Sequence, residues 1–344
     1  MPAALPIRIG LLYDYPQADD LFVRTLRFGI AESADRIDRE VELVERPARG
    51  LPGGSEAEIV RTVTALIADD VLAIVGPSIS DNALIAAPLC DAARLPAINY
   101  SGGERTRSEW MFHYPVGSLE EEPLLIAERL AARGLRRVAV TYDRSPVGRR
   151  YAECFEAARA RLGLEVTATA GLAPLTEDAG AEVERLRAGA PDALVSLGLG
   201  VASHAVAVAR RALDWAVPVV ANSALMFGYA RPDWREDFAG WEYVDTVADD
   251  NRMRARLAKH DRRAAGGPIG CAAYDIGRLL GEAIARCDHL TRAGLADALR
   301  SVKRLPAASG REGTRMGFGV RDHAALKGEY LVLRTWRDGR TEEV

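Results

Sequence analysis

The stretch from Val71 to Gly103, VLAIVGPSISDNALIAAPLCDAARLPAINYSGG, constrains the fold of this chain more than any other. An apolar run from Val71 to Val75 stops at Gly76-Pro77, a Ser-Ile-Ser-Asp sequence opens an amphipathic helix, and a second apolar run from Pro96 to Asn99 ends among small residues. Strand, loop, helix and strand in that order form a crossover that lays two parallel strand ends side by side. Outside the carboxyl ends of such strands, loop N–H groups and a helix N-terminus point into the same space. The unit therefore reads as part of a small-molecule cleft.

The same alternation runs along most of the chain. Strand patterns at Ile7–Asp14, Val41–Glu45 and Val71–Gly76 are separated by helical patterns at Leu21–Arg36 and Glu56–Asp69. A second set follows: helix Glu120–Arg133, strand Arg137–Tyr142, helix Gly148–Leu162, strand Leu164–Thr169, helix Ala181–Ala188, strand Ala193–Leu197, helix Ser203–Leu213 and strand Val217–Asn222. Near-continuous apolar strands between helices predict parallel sheets covered on both faces. Two sets of domain size predict an α/β protein of two doubly wound parallel-sheet lobes. After a strand at Trp241–Thr246, helices are expected at Asn251–Ala265, Cys271–Arg286 and Leu295–Val302 with no strand between them, then a lone strand at Glu329–Trp336 and a turn at Asp338-Gly339. Strandless helices must pack on a sheet already built. The expectation is three crossovers, with residues 1–117 and 248–324 in one lobe and 118–247 and 325–344 in the other. The Gly/Arg-rich stretch from Pro306 to Gly319 reads as a mobile loop.

Several function classes are excluded by composition. With 48% hydrophobic and 27% charged residues in 344 positions, the chain can bury one large core or two medium ones. A net charge of −4 supplies no broad basic field, so nucleic acid is not an expected partner. No apolar run approaches the roughly 18 to 20 residues of a membrane span, so no direct membrane insertion is expected. The first strand begins at Ile7, with Met1 to Pro6 too short for a basic and an apolar leader region, so the chain is expected to work in the cytoplasm. The alternative is a secreted or lipid-anchored receptor whose leader was removed. Cys90, Cys154, Cys271 and Cys287 lack paired spacing and are expected to be reduced, with neither a disulfide framework nor a metal site. The histidines form no ligand pair.

Catalytic and cofactor readings fare poorly. Gly76-Pro77-Ser78-Ile79-Ser80 places serine where a nucleophile elbow needs its second glycine. Gly198-Leu199-Gly200-Val201-Ala202-Ser203 resembles a dinucleotide fingerprint but ends in serine, and the next strand closes at Asn222-Ser223 without an acid. No cofactor and no enzymatic activity are expected.

The order of elements, the GPSIS turn, VAVTYD followed by VGRRYAECFEAA, PDALVSLG before a helix and the closing EYLVLRTWRDGR together resemble the type I periplasmic binding proteins. The chain is most similar to their leucine/isoleucine/valine-binding branch, the solute receptors of ABC transporters, which also contains cytoplasmic amide sensors. That resemblance implies a ligand cleft between the lobes and hinge closure around a small organic molecule. It also implies an ABC permease or a regulatory protein as partner, and leaves the oligomeric state open.

It further implies that Ser80 donates to a ligand carboxylate or carbonyl, helped by backbone amides around Ser101, Gly102 and Gly103. Read from the residues alone, Ser80 is also an ordinary helix cap. Asp81 opposes a bare anion at that point, so either it turns to solvent or the ligand is neutral or also carries a positive group. In the second lobe, the family's ligand-packing aromatics fall at Val147 and Leu199, and its ammonium-pairing acid falls at Ser223. An unpaired ammonium in a closed site costs several kcal/mol, so standard amino acids are expected to bind weakly or not at all. Tyr15, Tyr100, Tyr142 and Tyr274 are candidate pocket walls, and Arg105 is close enough in sequence to neutralise an acid.

Overall fold

The structure is a computed structural model and describes residues 5–14, 20–225 and 232–344. The chain divides into two compact units, Met1–Val116 with Val247–Tyr330, and Gly117–Thr246 with Leu331–Val344.

The first unit opens with β1 (Ile7–Tyr13), α1 (Leu21–Ala31), β2 (Val41–Pro47), α2 (Glu56–Ala68), β3 (Ala73–Val75), α3 (Ser80–Ala93), β4 (Ala97–Asn99) and β5 (Met111–His113). The strands form a parallel sheet in the order β2-β1-β3-β4-β5. β1 is almost wholly buried, whereas β2 at the edge is half exposed. α1 stops earlier than its apolar pattern suggests, and Ala34–Arg36 form a separate 3-10 turn. Beneath the sheet Leu12, Ile59, Val63, Leu66, Ile74 and Met111 make a continuous core. Cys90 lies in the same core, where burial pushes its thiol up to about 12.

The second unit contributes α4 (Glu122–Ala132), β6 (Arg137–Asp143), α5 (Pro146–Leu162), β7 (Glu165–Leu172), α6 (Gly180–Ala188), β8 (Ala193–Leu197), α7 (Val201–Ala212), β9 (Val219–Ala221) and β10 (Glu242–Asp245). The wholly buried β8 shows why this sheet is doubly wound. Ala193, Val195 and Leu197 face one core with Ile126, Val140 and Phe155, and Leu194 faces the other with Val206, Phe238 and Trp241. Period-two alternation with both faces apolar requires cover on both sides.

The chain then returns to the first unit with α8 (Arg252–His260), α9 (Arg262–Ala265), α10 (Pro268–Ala285) and α11 (Arg292–Ser301). The single helix expected over Asn251–Ala265 is broken at Asp261, whose carboxylate accepts from the Arg263 and Ala264 amides and so caps α9. The stretch expected as a mobile loop is instead ordered. β11 (Leu305–Pro306), β12 (Arg315–Met316) and β13 (Leu326–Lys327) form a small antiparallel sheet, and Ala307–Gly310 between them are buried. Because β13 pairs with β12, the first unit extends to Tyr330, past the boundary expected at residue 324. The tail β14 (Val332–Arg337) and β15 (Arg340–Glu343) turns at Asp338-Gly339 and completes the second sheet in the order β15-β14-β10-β9-β8-β6-β7.

α10 packs on α1 through glycine. A Cβ on Gly277 would sit 2.3 Å from the Leu26 carbonyl oxygen, and one on Gly29 would sit 2.3 Å from the Tyr274 carbonyl oxygen. The earliest and the late helices of the first unit thus meet backbone to backbone. Among the described residues no helix is long and apolar enough to cross a membrane.

Candidate functional site

Both large sheets change winding direction beside their first strand, β1 between β2 and β3, and β6 between β7 and β8. Ligands bind at such points in open α/β sheets. In this chain both points are organised by an aspartate at the end of that first strand.

In the first unit Asp14 follows β1 and is 2% exposed. Its Oδ1 accepts from the Ser78 amide at 2.9 Å and from Ser78 Oγ at 2.7 Å, and its Oδ2 accepts from the Ile79 amide and Asn82 Nδ2, each at 2.9 Å. Burial raises the Asp14 carboxyl above its ordinary range while these four donors pull it down. Asn82 also holds both backbone groups of Leu51, which ties a second loop to the start of α3. Asp14→Ala is expected to lower stability by about 3 kcal/mol, since it leaves buried donors unmatched. Urea denaturation checks this, and a change below about 1 kcal/mol would show that water replaces the carboxylate.

The second unit repeats the device. Asp143 ends β6, accepts from the Ser145 amide and hydroxyl with one oxygen, and accepts from the Leu199 amide with the other. Gly198 has φ of +131°, and a Cβ there would lie 1.9 Å from Asp143 Oδ2, so only glycine lets the loop after β8 approach the acid. A Tyr-Asp pair marks both positions, Tyr13-Asp14 and Tyr142-Asp143, and this was the available signal in the sequence.

The expected binding residues of the first unit converge on the ends of β3 and β4. Ser80 is 6% exposed and is the first residue of α3, but it does not cap the helix, because Ile79 holds the cap position. Its hydroxyl makes no hydrogen bond to another described residue. A Cβ on Gly103 would be 2.8 Å from Ser80 Oγ, so the strand end approaches the hydroxyl closely. The N–H groups of Gly102 and Gly103 donate to no described group. Ser101 is fixed from both sides, since its hydroxyl donates to Asn99 Oδ1 at 2.8 Å and its carbonyl lies 2.8 Å from His113 Nε2. Arg107 Nε–H donates to His113 Nδ1, so Nε2 carries the ring proton and donates to that carbonyl. Burial lowers His113 to about 3, which keeps it neutral.

Other expected residues sit differently. Asp81 does not turn to solvent; it is 7% exposed and has an interaction of its own. Tyr100 is buried and stacked on Phe22 at 4.7 Å. Arg105 lies on the short turn Glu104–Thr106 and is exposed, while Arg107 is the arginine that turns inward to His113. Tyr274 belongs to helix packing, with its ring stacked on Phe28 and its hydroxyl donating to Glu32 at 2.6 Å. Tyr15 lies outside the described residues.

In the second unit Val147 and Leu199 are buried in the core with Tyr151 and Phe155, and Tyr142 is half-buried beside them. Ser223 is where sequence reasoning missed most. It carries no charge itself, but Glu122 at the start of α4 lies against it and is wholly buried. Glu122 Oε1 accepts from the Ser118 amide at 2.6 Å, Ser223 Oγ at 2.8 Å and Tyr151 Oη at 2.9 Å, and Oε2 accepts from the Ser223 amide at 2.6 Å. Burial pushes this carboxyl up to about 7 against the pull of its donors. Asn222 next to it holds both backbone groups of Gly198. Among the described residues no group of three or more His, Cys, Asp or Glu side chains is placed to hold a metal ion.

Two doubly wound units, each with polar loops stapled at the switch point by a buried acid, define a ligand-binding architecture. The chain belongs to the periplasmic binding protein family, whose model matches residues 6–334. That description does not support the cytoplasmic location expected from the sequence.

Solved structures agree on the fold. A leucine-binding protein from Thermotoga maritima is 18% identical with a TM-score of 0.81, over 98% of this chain and 97% of that one. An ABC transporter substrate-binding protein from Desulfitobacterium hafniense, in complex with Leu, is 20% identical with a TM-score of 0.81, over 99% and 100%. A solute-binding protein of an ABC transporter from R. palustris, in complex with 4-hydroxybenzoate, is 17% identical with a TM-score of 0.80, over 98% and 96%. The family and these similar structures are binding proteins. A comparison with curated proteins finds no match.

Proposed function

We propose that this chain is the solute receptor of an ABC transporter, that it recognises a small, largely apolar molecule with a carboxylate or other acceptor end and no ammonium group, and that its units close on that ligand by a hinge. The observation that carries the reading is the state of Glu122. Its oxygens already accept four protein hydrogen bonds, three at Oε1 and one at Oε2. The acid beside Ser223 is therefore already committed to its own loop, and only Oε2, which accepts a single bond, could be shared with a ligand ammonium. Asp143 is likewise occupied by Ser145 and Leu199. In the first unit the Ser80 hydroxyl and the amides of Gly102 and Gly103 supply donors for the ligand's acceptor end. Where the family resemblance puts ligand-packing aromatics this chain has the aliphatic Val147 and Leu199, both packed in the core, which favours an apolar body over ring stacking. The R. palustris protein, which binds an aromatic acid without an amine, shows that this fold accommodates such a ligand. An ABC permease is the partner this reading implies.

Calorimetry with matched ligand sets tests the proposal. 4-Methylpentanoate and 4-methylpentanamide are expected to bind at least about tenfold more tightly than leucine, and 3-phenylpropanoate more tightly than phenylalanine, because each amine adds an unpaired buried charge. Leucine binding as tightly as its deaminated analogue would overturn the reading. Ser80→Ala is expected to weaken binding of the preferred acid about tenfold while changing stability by less than about 0.5 kcal/mol. Small-angle scattering with and without the bound acid tests closure.

A further inference from the structure

We infer that a groove on the small sheet of the first unit is a binding site for a compact polyanion, a diphosphate or polycarboxylate carrying at least two negative charges. The groove encloses about 500 Å³, and Lys303, Arg304, Arg315 and Lys327 line it. Its one acidic side chain, Asp322, pairs with Lys327. Lys303 Nζ donates to the carbonyls of Arg300 and Phe318, which positions the ammonium without neutralising it. Arg304 and Arg315 are exposed and have no carboxylate partner among the described residues.

A second, independent observation points the same way. Arg315 and Lys327 are directly opposed across the antiparallel β12–β13 pair. Like charges at opposed positions disfavour a ladder, and here Asp322 offsets Lys327 while Arg315 has no acid of its own among the described residues. Some arginines of the described surface are matched with acids, as in Arg46–Asp69, Arg129–Glu242 and Arg300–Asp297. Here the chain places Arg315 and Lys327 in register beside a concavity that Gly317, Gly319 and Gly328 also line. A ligand with two or more negative charges bridges Arg315 and Lys327, meets Arg304 at the rim, and turns a repulsive pair into a bound one.

The site shares no residue with the strand-end loops, so its test is separate from that of solute recognition. Pyrophosphate is the probe, added to the full chain at constant ionic strength maintained with sodium chloride. It is expected to raise the melting temperature by about 2 °C or more at 10 mM. Arg315→Gln combined with Lys327→Gln is expected to abolish the shift. Arg304→Gln, at an exposed rim position, should reduce the shift without touching the sheet and serves if the double variant fails to fold. No shift in the wild type, or the same shift in the variants, would overturn the inference. A larger shift from a hexaglutamate peptide than from pyrophosphate would also overturn it, in favour of a docking surface for an acidic protein segment.

Discussion

Gly277→Val is expected to remove about 3 kcal/mol or more of the stability of the first unit, enough to leave much of it unfolded at 37 °C. A Cβ at Gly277 would lie 2.3 Å from the Leu26 carbonyl oxygen and 3.0 Å from Gly29 Cα. Both are backbone atoms, so no rotamer change relieves the clash and the two helices must move apart. Moving them loosens the contacts of Phe22, Leu26 and Ile30 on α1 and of Ile276 and Leu280 on α10, all buried. Overpacking against a rigid wall costs about 1–3 kcal/mol for small additions, so Gly277→Ala should fall in that range and valine beyond it. Gly53→Ala, where nothing lies within 4 Å of the added atom, serves as the control and should change stability by less than about 0.5 kcal/mol. Urea midpoints of the three variants check the ranking. An unchanged midpoint for Gly277→Val would mean that α1 and α10 do not approach this closely.

Glu122→Ala is expected to cost the second unit about 3–5 kcal/mol, because it strips the acceptor from the amides of Ser118 and Ser223 and from the hydroxyls of Ser223 and Tyr151, all at buried residues. The same residue should dominate the pH dependence of stability near neutrality. Its folded-state value, about 7, lies above the ordinary 4.5, so folding favours the protonated acid. The stabilisation is complete below about pH 4.5 and is lost as pH rises through 7. Between pH 5 and pH 8 the wild type should therefore lose on the order of 3 kcal/mol. Asp275, raised by burial to about 6, acts in the same direction at lower pH, so the comparison that isolates Glu122 is with Glu122→Gln. The glutamine variant cannot ionise there, and its stability should vary less across the window although its absolute value is lower. Parallel profiles for the two proteins would show that Glu122 titrates near its ordinary value.

Which parts of this molecule were legible in the sequence follows from the range of the interactions. The parallel strands β1, β3, β4, β6, β8 and β9 were readable because a strand buried on both faces is an uninterrupted apolar run, and the helices between them because their periodicity repeats within a turn or two. β5 escaped because Met111–His113 follows β4 with no helical pattern between them to mark a new strand. The Pro306–Gly319 stretch read as a loop because its glycines and arginines carry no pattern. Its order comes from outside, through the pairing of β12 with β13 and the Asn251 side chain, which donates to the carbonyls of Ala307 and Gly310.

The candidate site divides along the same line. Ser80, Ser101, Gly102 and Gly103 could be placed from sequence alone, because a βαβ unit sets which loops follow which strand ends. By itself the sequence determined the alternation of strands and helices, the α/β class and which loops follow the strand ends, since each depends on residues within about one crossover of one another. Only the tertiary structure decided that Glu122 stands against Ser223, 101 residues away, that Asp14 reaches Ser78, Ile79 and Asn82 across 64 to 68 residues, and that Gly29 meets Gly277. A buried charge takes its donors from whatever the packed chain brings within hydrogen-bond reach, and that neighbourhood is a property of the fold and not of any local pattern.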